Sequence, residues 1–252
     1  MTLEEILADK DLAMHKKKSE IQKSDFSNVL LDCVNKAENS GIDKLEVLVY
    51  KATIKKDRNE YMFNQYKSGY VLNHSVGMRY YKLLWCYDSA DSAYTQNKEN
   101  YDKYSKEILN QDDLGEYFWA VLEAKNIEGS AVVKGSNFLT PVLSFKLIDE
   151  NTAEVELAIS PSNILDSHKD VHIPGLWKKS LSETKYDLLL QEHDMDFDKV
   201  IVDSISGDLK VYTKMISVKE LKSKFEAVNN TSSNKNEPTN KVTQTTKKVF
   251  IN

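Results

Sequence analysis

The chain has 252 residues and a mass of 28.9 kDa, enough to bury a sizeable core without covalent staples, so a small disulfide scaffold is excluded. Its 34 basic and 39 acidic residues leave a net charge of -5, too balanced for a protein that lives by counterion release from nucleic acid. Its two cysteines, Cys33 and Cys86, are far apart and without metal-ligand spacing, which points to a reducing compartment.

Residues 1–25 open on the acidic MTLEEILADKDL, which lacks the charged-then-apolar pattern of a signal peptide. Leu3, Ile6, Leu7 and Met14 fall at helical spacing before His15-Lys16-Lys17-Lys18, so a short, mobile helical extension is predicted there. Strand-like alternation follows in LEVLVYKATI, through Leu45, Val47 and Val49. In DRNEYMFNQYKSG, Met62, Phe63 and Tyr66 share a helical face, and Gly69 can end the helix in a left-handed conformation. Alternation resumes with Val76, Met78 and Tyr80. A helix over about 91–112 is predicted from the stripe Tyr94, Tyr101, Tyr104 and Ile108. Two more strands are read from Val155, Leu157 and Ile159, and from Leu209, Val211 and Thr213.

From Val228 the polar NNTSSNKNEPTNKVTQTTKK has almost nothing to offset the entropy of ordering, so a disordered tail is expected over 226–252. No apolar run approaches the roughly 20 residues that span a bilayer, so no membrane partner is expected. Arginine occurs only as Arg58 and Arg79 while lysine, asparagine and isoleucine abound, a bias of an AT-rich genome. The expected architecture is α+β: a mainly antiparallel sheet or barrel with flanking helices, one domain at 26–225 with a helical insertion at about 88–116.

Four segments can carry chemistry. In His74-Ser75-Val76-Gly77 a serine at a strand's start could act as nucleophile, and the glycine would let backbone N–H groups approach an oxyanion; the plain alternative is a backbone-bonded serine beside a surface histidine. In LLLQEHDMDFD, His193 lies between Glu192 and Asp194 after an apolar run read as a strand's end, where it could serve as general base or simply stand in an acidic loop. In NILDSHKDVHIPGLW, His168 and His172 have the HxxxH spacing of a metal pair, but Pro174-Gly175 argues against the helix that spacing needs. A loop near the active site, in which Asp166 or Asp170 bonds its own backbone, is the simpler reading. In FWAVLEAKNIEGSAVVKGSNFLTP, Glu128 and Ser130 share one strand face and Ile127 the other; Glu128 could orient an imidazole or be a solvated outer-face acid.

Together ILDSHKDVHIPGLWKKSL, LLLQEHD, GYVLNHSVGMRYYKL and EYFWAVLEAKNIEGSAVVKGSNFLTP resemble blocks of the prohead serine proteases of tailed phages, capsid-maturation enzymes with a fold similar to herpesvirus assemblin. Members from phages of Bacteroidetes-type hosts are especially similar. The resemblance covers about residues 45–215. It implies a Ser-His endopeptidase that needs no cofactor, with Ser75 as nucleophile, His193 as base and Glu128 as its orienting acid. Gly77 and Arg79 would shape the oxyanion site, and Asp166 would be structural or site-shaping. His168 and His172 stay open as alternatives to Glu128. The implied substrates are the major capsid protein and its scaffold segment, cut inside the prohead in the host cytoplasm; a homodimer follows by analogy, and the exposed polar tails are expected either to guide packaging or to be trimmed by self-cleavage.

Two departures stand out. The family carries its DS and HD blocks before its SVG block, whereas here Ser75 and Glu128 precede Asp166 and His193, as a circular permutation joined through TPVLSFKLID would produce. No Pro-Ile-Gly follows Asp194, where MDFDKV stands. The non-enzymatic alternative is a head-assembly or scaffold protein that keeps the protease fold. A weaker one is a metal-dependent hydrolase using His168, His172 and His193.

Overall fold

The computed structural model describes residues 42–224, so the extension expected at 1–25 and the tail expected at 226–252 lie outside the described residues. Strand β1 (Lys44–Lys55) runs into helix α1 (Glu60–Ser68). The helix starts where the Asn59 side chain accepts from the Met62 N–H at 2.9 Å, and it stops at Gly69, whose φ of 72° suits a residue without a Cβ. Strand β2 (Asn73–Tyr87) follows, then helix α2 (Thr95–Tyr104), then the long strand β3 (Tyr117–Val132).

The single helix expected over 91–112 is broken into α2 and three 3-10 turns at Ser92–Tyr94, Ser105–Glu107 and Gln111–Asp113. Tertiary contacts override the periodicity. Ile108 and Leu109 bury in two different apolar clusters, and the Leu109 N–H donates to the Asn163 carbonyl at 3.0 Å. Tyr94 packs edge-on to Trp85 and Tyr87 instead of joining the buried stripe.

The rest of the chain supplies β4 (Val142–Leu147), β5 (Thr152–Pro161), β6 (Asp170–His172), α3 (Lys178–Glu183), β7 (Leu188–Gln191), β8 (Val200–Asp203) and β9 (Leu209–Ser217). One sheet is antiparallel throughout in the order β4-β5-β1-β9. The other runs β2-β3-β7-β8, with β6 also on β3. The fold is therefore α+β with mostly antiparallel sheets. The barrel expected as an alternative to an open sheet does not form among the described residues: each sheet ends in outer strands, and the two bury their inner faces against each other instead of closing.

Between the sheets Tyr50, Ala52 and Ile54 of β1 pack with Leu157 of β5, Ala131 of β3 and Leu189 of β7, while Met62, Phe63 and Tyr66 of α1 join the same cluster. Leu45, Val47 and Val49 of β1 bury in a second cluster on the other side with Leu139, Leu143 and Ile216. A strand covered on both faces explains why LEVLVY is nearly continuously apolar.

Two features of this layout position the chemistry. Strand β3 pairs antiparallel with β2 along its length, and on its other side it takes β6 at Trp119–Val121 and β7 at Gly129–Ala131, so two different loops arrive at its two ends. The two ends of the described chain meet: Lys44 pairs with Ser217, and the Val218 N–H donates to the Asp43 carbonyl at 3.2 Å. No helix among the described residues is long and apolar enough to cross a membrane.

Candidate active site

Face assignment on β2 follows from the core. Val76 and Met78 pack against the inter-sheet cluster, so Ser75, Gly77 and Arg79 project from the opposite, outer face. On β3, Asn126 donates to the buried Tyr50 hydroxyl and Gly129 lies against the Tyr50 ring, which makes those two positions core-facing. A register shift between Gly77 and Met78 leaves Ile127 as an extra residue, and this bulge sets Glu128 and Ser130 on the outer face beside Ser75 and Gly77. Ser75 stands directly opposite Ser130, and such cross-strand partners hold their Cβ atoms roughly 4.5–5.5 Å apart.

Gly77 stands opposite Glu128, and its lack of a side chain is what admits the acid: a Cβ there would lie 2.9 Å from Glu128 Cδ and closer still to Oε1. The expectation that Gly77 borders an oxyanion site is therefore corrected. The space above it holds a carboxylate, whose charge would repel a developing oxyanion. Glu128 is 3 % exposed, so it is not the solvated outer-face acid of the plainer sequence reading.

The histidine arrives on a turn. After β7 the chain reverses through Glu192 and His193, both at positive φ, 52° and 59°, closed by the Asp194 N–H donating to the Gln191 carbonyl at 3.0 Å. Two successive non-glycine residues in this region cost on the order of 1 kcal/mol or more each, and such strain persists where surroundings over-determine it. They do so here. The Glu192 N–H donates to the Ala131 carbonyl at 2.9 Å, the Val133 N–H donates to Glu192 Oε1 at 2.6 Å, and the His193 N–H donates to Ser130 Oγ at 3.1 Å.

This turn swings the imidazole onto the buried acid. His193 Nδ1 lies 2.6 Å from Glu128 Oε1, and Ser130 Oγ donates to Oε2 of the same carboxylate at 2.6 Å. A carboxylate only accepts, so the ring proton sits on Nδ1 and the neutral ring turns its Nε2 lone pair outward. The His193 side chain is 43 % exposed, whereas its partner is buried. The hydrogen bond that His193 donates to Glu128 holds the His193 pKa above its ordinary value, the charges of Glu128 and Glu192 add to this, and partial burial opposes it.

Ser130 and Glu192 are the residues whose part the sequence did not disclose. Ser130 shares a face with Glu128 at two-residue spacing, the only signal it carried. Glu192 had none, because Glu-His contradicts the Asn-Gly preference of such turns.

The other expected residues lie elsewhere or act otherwise. Arg79 is exposed on the face of Ser75, two positions beyond Gly77. His74 is not the surface histidine of the plainer reading. It is fully buried; Nδ1 donates to the Thr140 carbonyl at 2.8 Å, and Nε2 accepts from the Tyr66 hydroxyl at 3.1 Å. Burial depresses its pKa to about 4, against the opposing Thr140 bond. Thr140 Oγ1 also accepts from the His74 N–H at 3.1 Å and donates to its carbonyl at 2.8 Å, so the residue before Ser75 is clamped on both sides.

Asp166 folds its own loop, accepting from the His168 N–H at 2.8 Å and the Asp170 N–H at 3.0 Å, with Lys169 at φ 66°. It does not shape the Ser75 face, because β6 meets β3 at Trp119, nine residues before Glu128 and roughly 30 Å along the strand. His172 belongs to that far end too. It is buried, with Nδ1 2.6 Å from Ser160 Oγ, so neither it nor His168 partners His193. For the same reason His168, His172 and His193 do not converge, and among the described residues no cluster of His, Cys, Asp and Glu could hold a metal.

The chain matches no protein-family model, no curated protein and no solved structure.

Proposed function

We propose that this chain is a serine endopeptidase, a phage prohead protease of herpesvirus-assemblin-like fold in circularly permuted order, with Ser75, His193 and Glu128 as its catalytic residues. One observation carries the reading: the buried Glu128 carboxylate grips His193 Nδ1 at 2.6 Å on the strand face that also bears Ser75. A histidine so oriented has its Nε2 free to take a hydroxyl proton. The adjacency of Lys44 and Ser217 supports the permuted order, since a break there leaves both new ends together.

In the proposed reaction Ser75 Oγ attacks the scissile carbonyl carbon while His193 Nε2 accepts its proton. Glu128 stabilises the imidazolium formed. The tetrahedral intermediate collapses as His193 returns the proton to the leaving amine, leaving an acyl ester on Ser75. Water, deprotonated by His193, then attacks that ester, and the serine is reprotonated. With Gly77 given over to the acid, Arg79, beside its cross-strand partner Lys125, is a cation on this face that can offset oxyanion charge.

The substrates under this reading are the major capsid protein and its scaffold segment. Co-production of the chain with the capsid and scaffold proteins of its phage tests it. Parent protein should shorten them and Ser75→Ala should leave them whole. Equal processing by both, or none by the parent, overturns the assignment, and the latter outcome favours a scaffold role.

A further inference from the structure

Ser75 and His193 arrive on separate elements, β2 and the turn after β7, and one connection touches both. Among the described residues β2 is the outermost strand of its sheet, so no ladder on its far edge fixes the backbone beside Ser75. Residues 133–141, which join β3 to β4, cross that edge. Connections usually run over the surface, yet this one buries Asn137, Leu139 and Thr140. At its start the Val133 N–H donates to Glu192, in the turn that carries His193. At its end the Thr140 hydroxyl takes both edge groups of His74, accepting from the N–H at 3.1 Å and donating to the carbonyl at 2.8 Å, as a neighbouring strand would. The His74 ring returns a bond to the Thr140 carbonyl at 2.8 Å, and the Tyr66 hydroxyl of α1 holds its other nitrogen at 3.1 Å. Between these anchors Gly135 comes so close that a Cβ there would lie 2.7 Å from the His74 carbonyl oxygen.

We propose that the β3–β4 connection is a brace that holds Ser75 at its attacking distance from His193, and that Thr140, acting through His74, is its positioning residue. The inference rests on the endopeptidase reading and deepens it. Successive residues of a strand direct their backbone groups to alternate sides, so with those of His74 tied to Thr140, those of Ser75 face Ser130 of β3. The backbone entering the nucleophile is thereby fixed on both sides although its strand lies at an edge. Such placement matters to the reaction, because an error of about 1 Å between reacting groups costs on the order of 100-fold in rate. The brace does not touch the Glu128–His193 pair, so it acts on where the hydroxyl stands and leaves the base as it is.

The test is the rate at which a fluorophosphonate modifies Ser75 in the full-length chain, followed by mass spectrometry between about pH 5 and 9, where an imidazole titrates. In the parent the rate should rise with pH as His193 loses its proton. Thr140→Val keeps the shape and removes the hydroxyl, which leaves the His74 N–H and carbonyl without their partner; it should lower the plateau about 10- to 100-fold with the inflection unmoved. Thr140→Ser removes a buried methyl group and keeps the hydroxyl, so its melting temperature should fall while its labelling stays within about threefold of the parent. A residue that only fills space would give the reverse order. Labelling of folded Thr140→Val within about twofold of the parent, or a moved inflection, overturns the brace and leaves the endopeptidase reading standing. Where Thr140→Val does not fold, Gly135→Ala decides: its methyl group presses on the His74 carbonyl and should slow labelling about tenfold at an unmoved inflection, and labelling at the parental rate overturns the brace. A parent that does not label at Ser75 overturns both readings.

Discussion

Two histidines stand near opposite ends of strand β3, each with its Nδ1 2.6 Å from an oxygen, and they differ in everything else. At one end His172 Nδ1 lies 2.6 Å from Ser160 Oγ; both residues are buried, and His172 Nε2 has no partner among the described residues. At the other, His193 is half exposed, its Nδ1 is held by a carboxylate, and the serine opposite the acid's neighbour faces outward. Burial drives the His172 pKa down to about 4, with Asp166 opposing, whereas Glu128 raises that of His193. A hydroxyl beside an imidazole does not make a base. The acid behind the ring and the access in front of it do.

Replacing each hydroxyl in turn should break the symmetry most sharply. Ser75→Ala should lower peptide cleavage by about 10³-fold or more, as loss of a nucleophile does, with an unchanged melting temperature. A residual rate within tenfold of the parent would exclude Ser75 as nucleophile. Glu128→Gln keeps the shape but loses the charge that fixes the ring's tautomer, and should cost roughly 10³–10⁴-fold in kcat. It should also move His193, followed by NMR, down toward its ordinary value.

Gly77→Ala comes next. Its new methyl group overlaps the Glu128 carboxylate, so activity should fall at least about tenfold, with a stability loss of roughly 1–3 kcal/mol seen by denaturant titration. Ser130→Ala removes a donor to Glu128 and an acceptor for the His193 N–H, and should cost about 1–3 kcal/mol of stability with a smaller loss of rate. The paired change Ser160→Ala with His172→Phe, which replaces both polar partners together, should leave kcat/KM within about twofold. Any large kinetic loss there would show that the two ends of β3 are not independent.

The two ends also respond to pH with opposite signs. Because its folded pKa is raised, His193 stabilises the fold below its ordinary value near 6.5, and that contribution is lost as pH rises through the folded pKa. Cleavage, which needs the neutral ring, should instead increase across that same interval. His172 and His74 have folded pKa values near 4, so their contribution is complete above about 6.5 and disappears as pH falls from there to 4, on the order of 3 kcal/mol each. Unfolding titrations from pH 7 to 4 should show this acid loss in the parent, and the Ser160→Ala, His172→Phe protein should lose less.

Local patterns announced β1, β2, β5, β9 and α1 because period-two alternation and a helix-ending Gly69 are properties of adjacent residues, whereas β4, β6 and β8 carried no such pattern and the β6 segment read as a loop. The break in the 91–112 helix was not legible, since it depends on Asn163 and Leu165, more than fifty positions away. The site divides the same way. Ser75, Glu128 and His193 could each be named from their segments, and the bulge at Ile127 still left Glu128 and Ser130 on one face. The strained Glu192–His193 turn had no signature because its sequence opposes its conformation, which holds only through bonds from Ala131, Ser130 and Val133. Gly77 suggested a route to the backbone, and only the packed carboxylate revealed that it makes room for a side chain.

Activation of Ser75 by His193 is tested most directly by treating the folded full-length chain with a fluorophosphonate at pH 8 and mapping the adduct by mass spectrometry. The account predicts one adduct, on Ser75, that is lost in His193→Ala and strongly slowed in Glu128→Gln. Labelling of another serine, or labelling of Ser75 at the parental rate in His193→Ala, would contradict it.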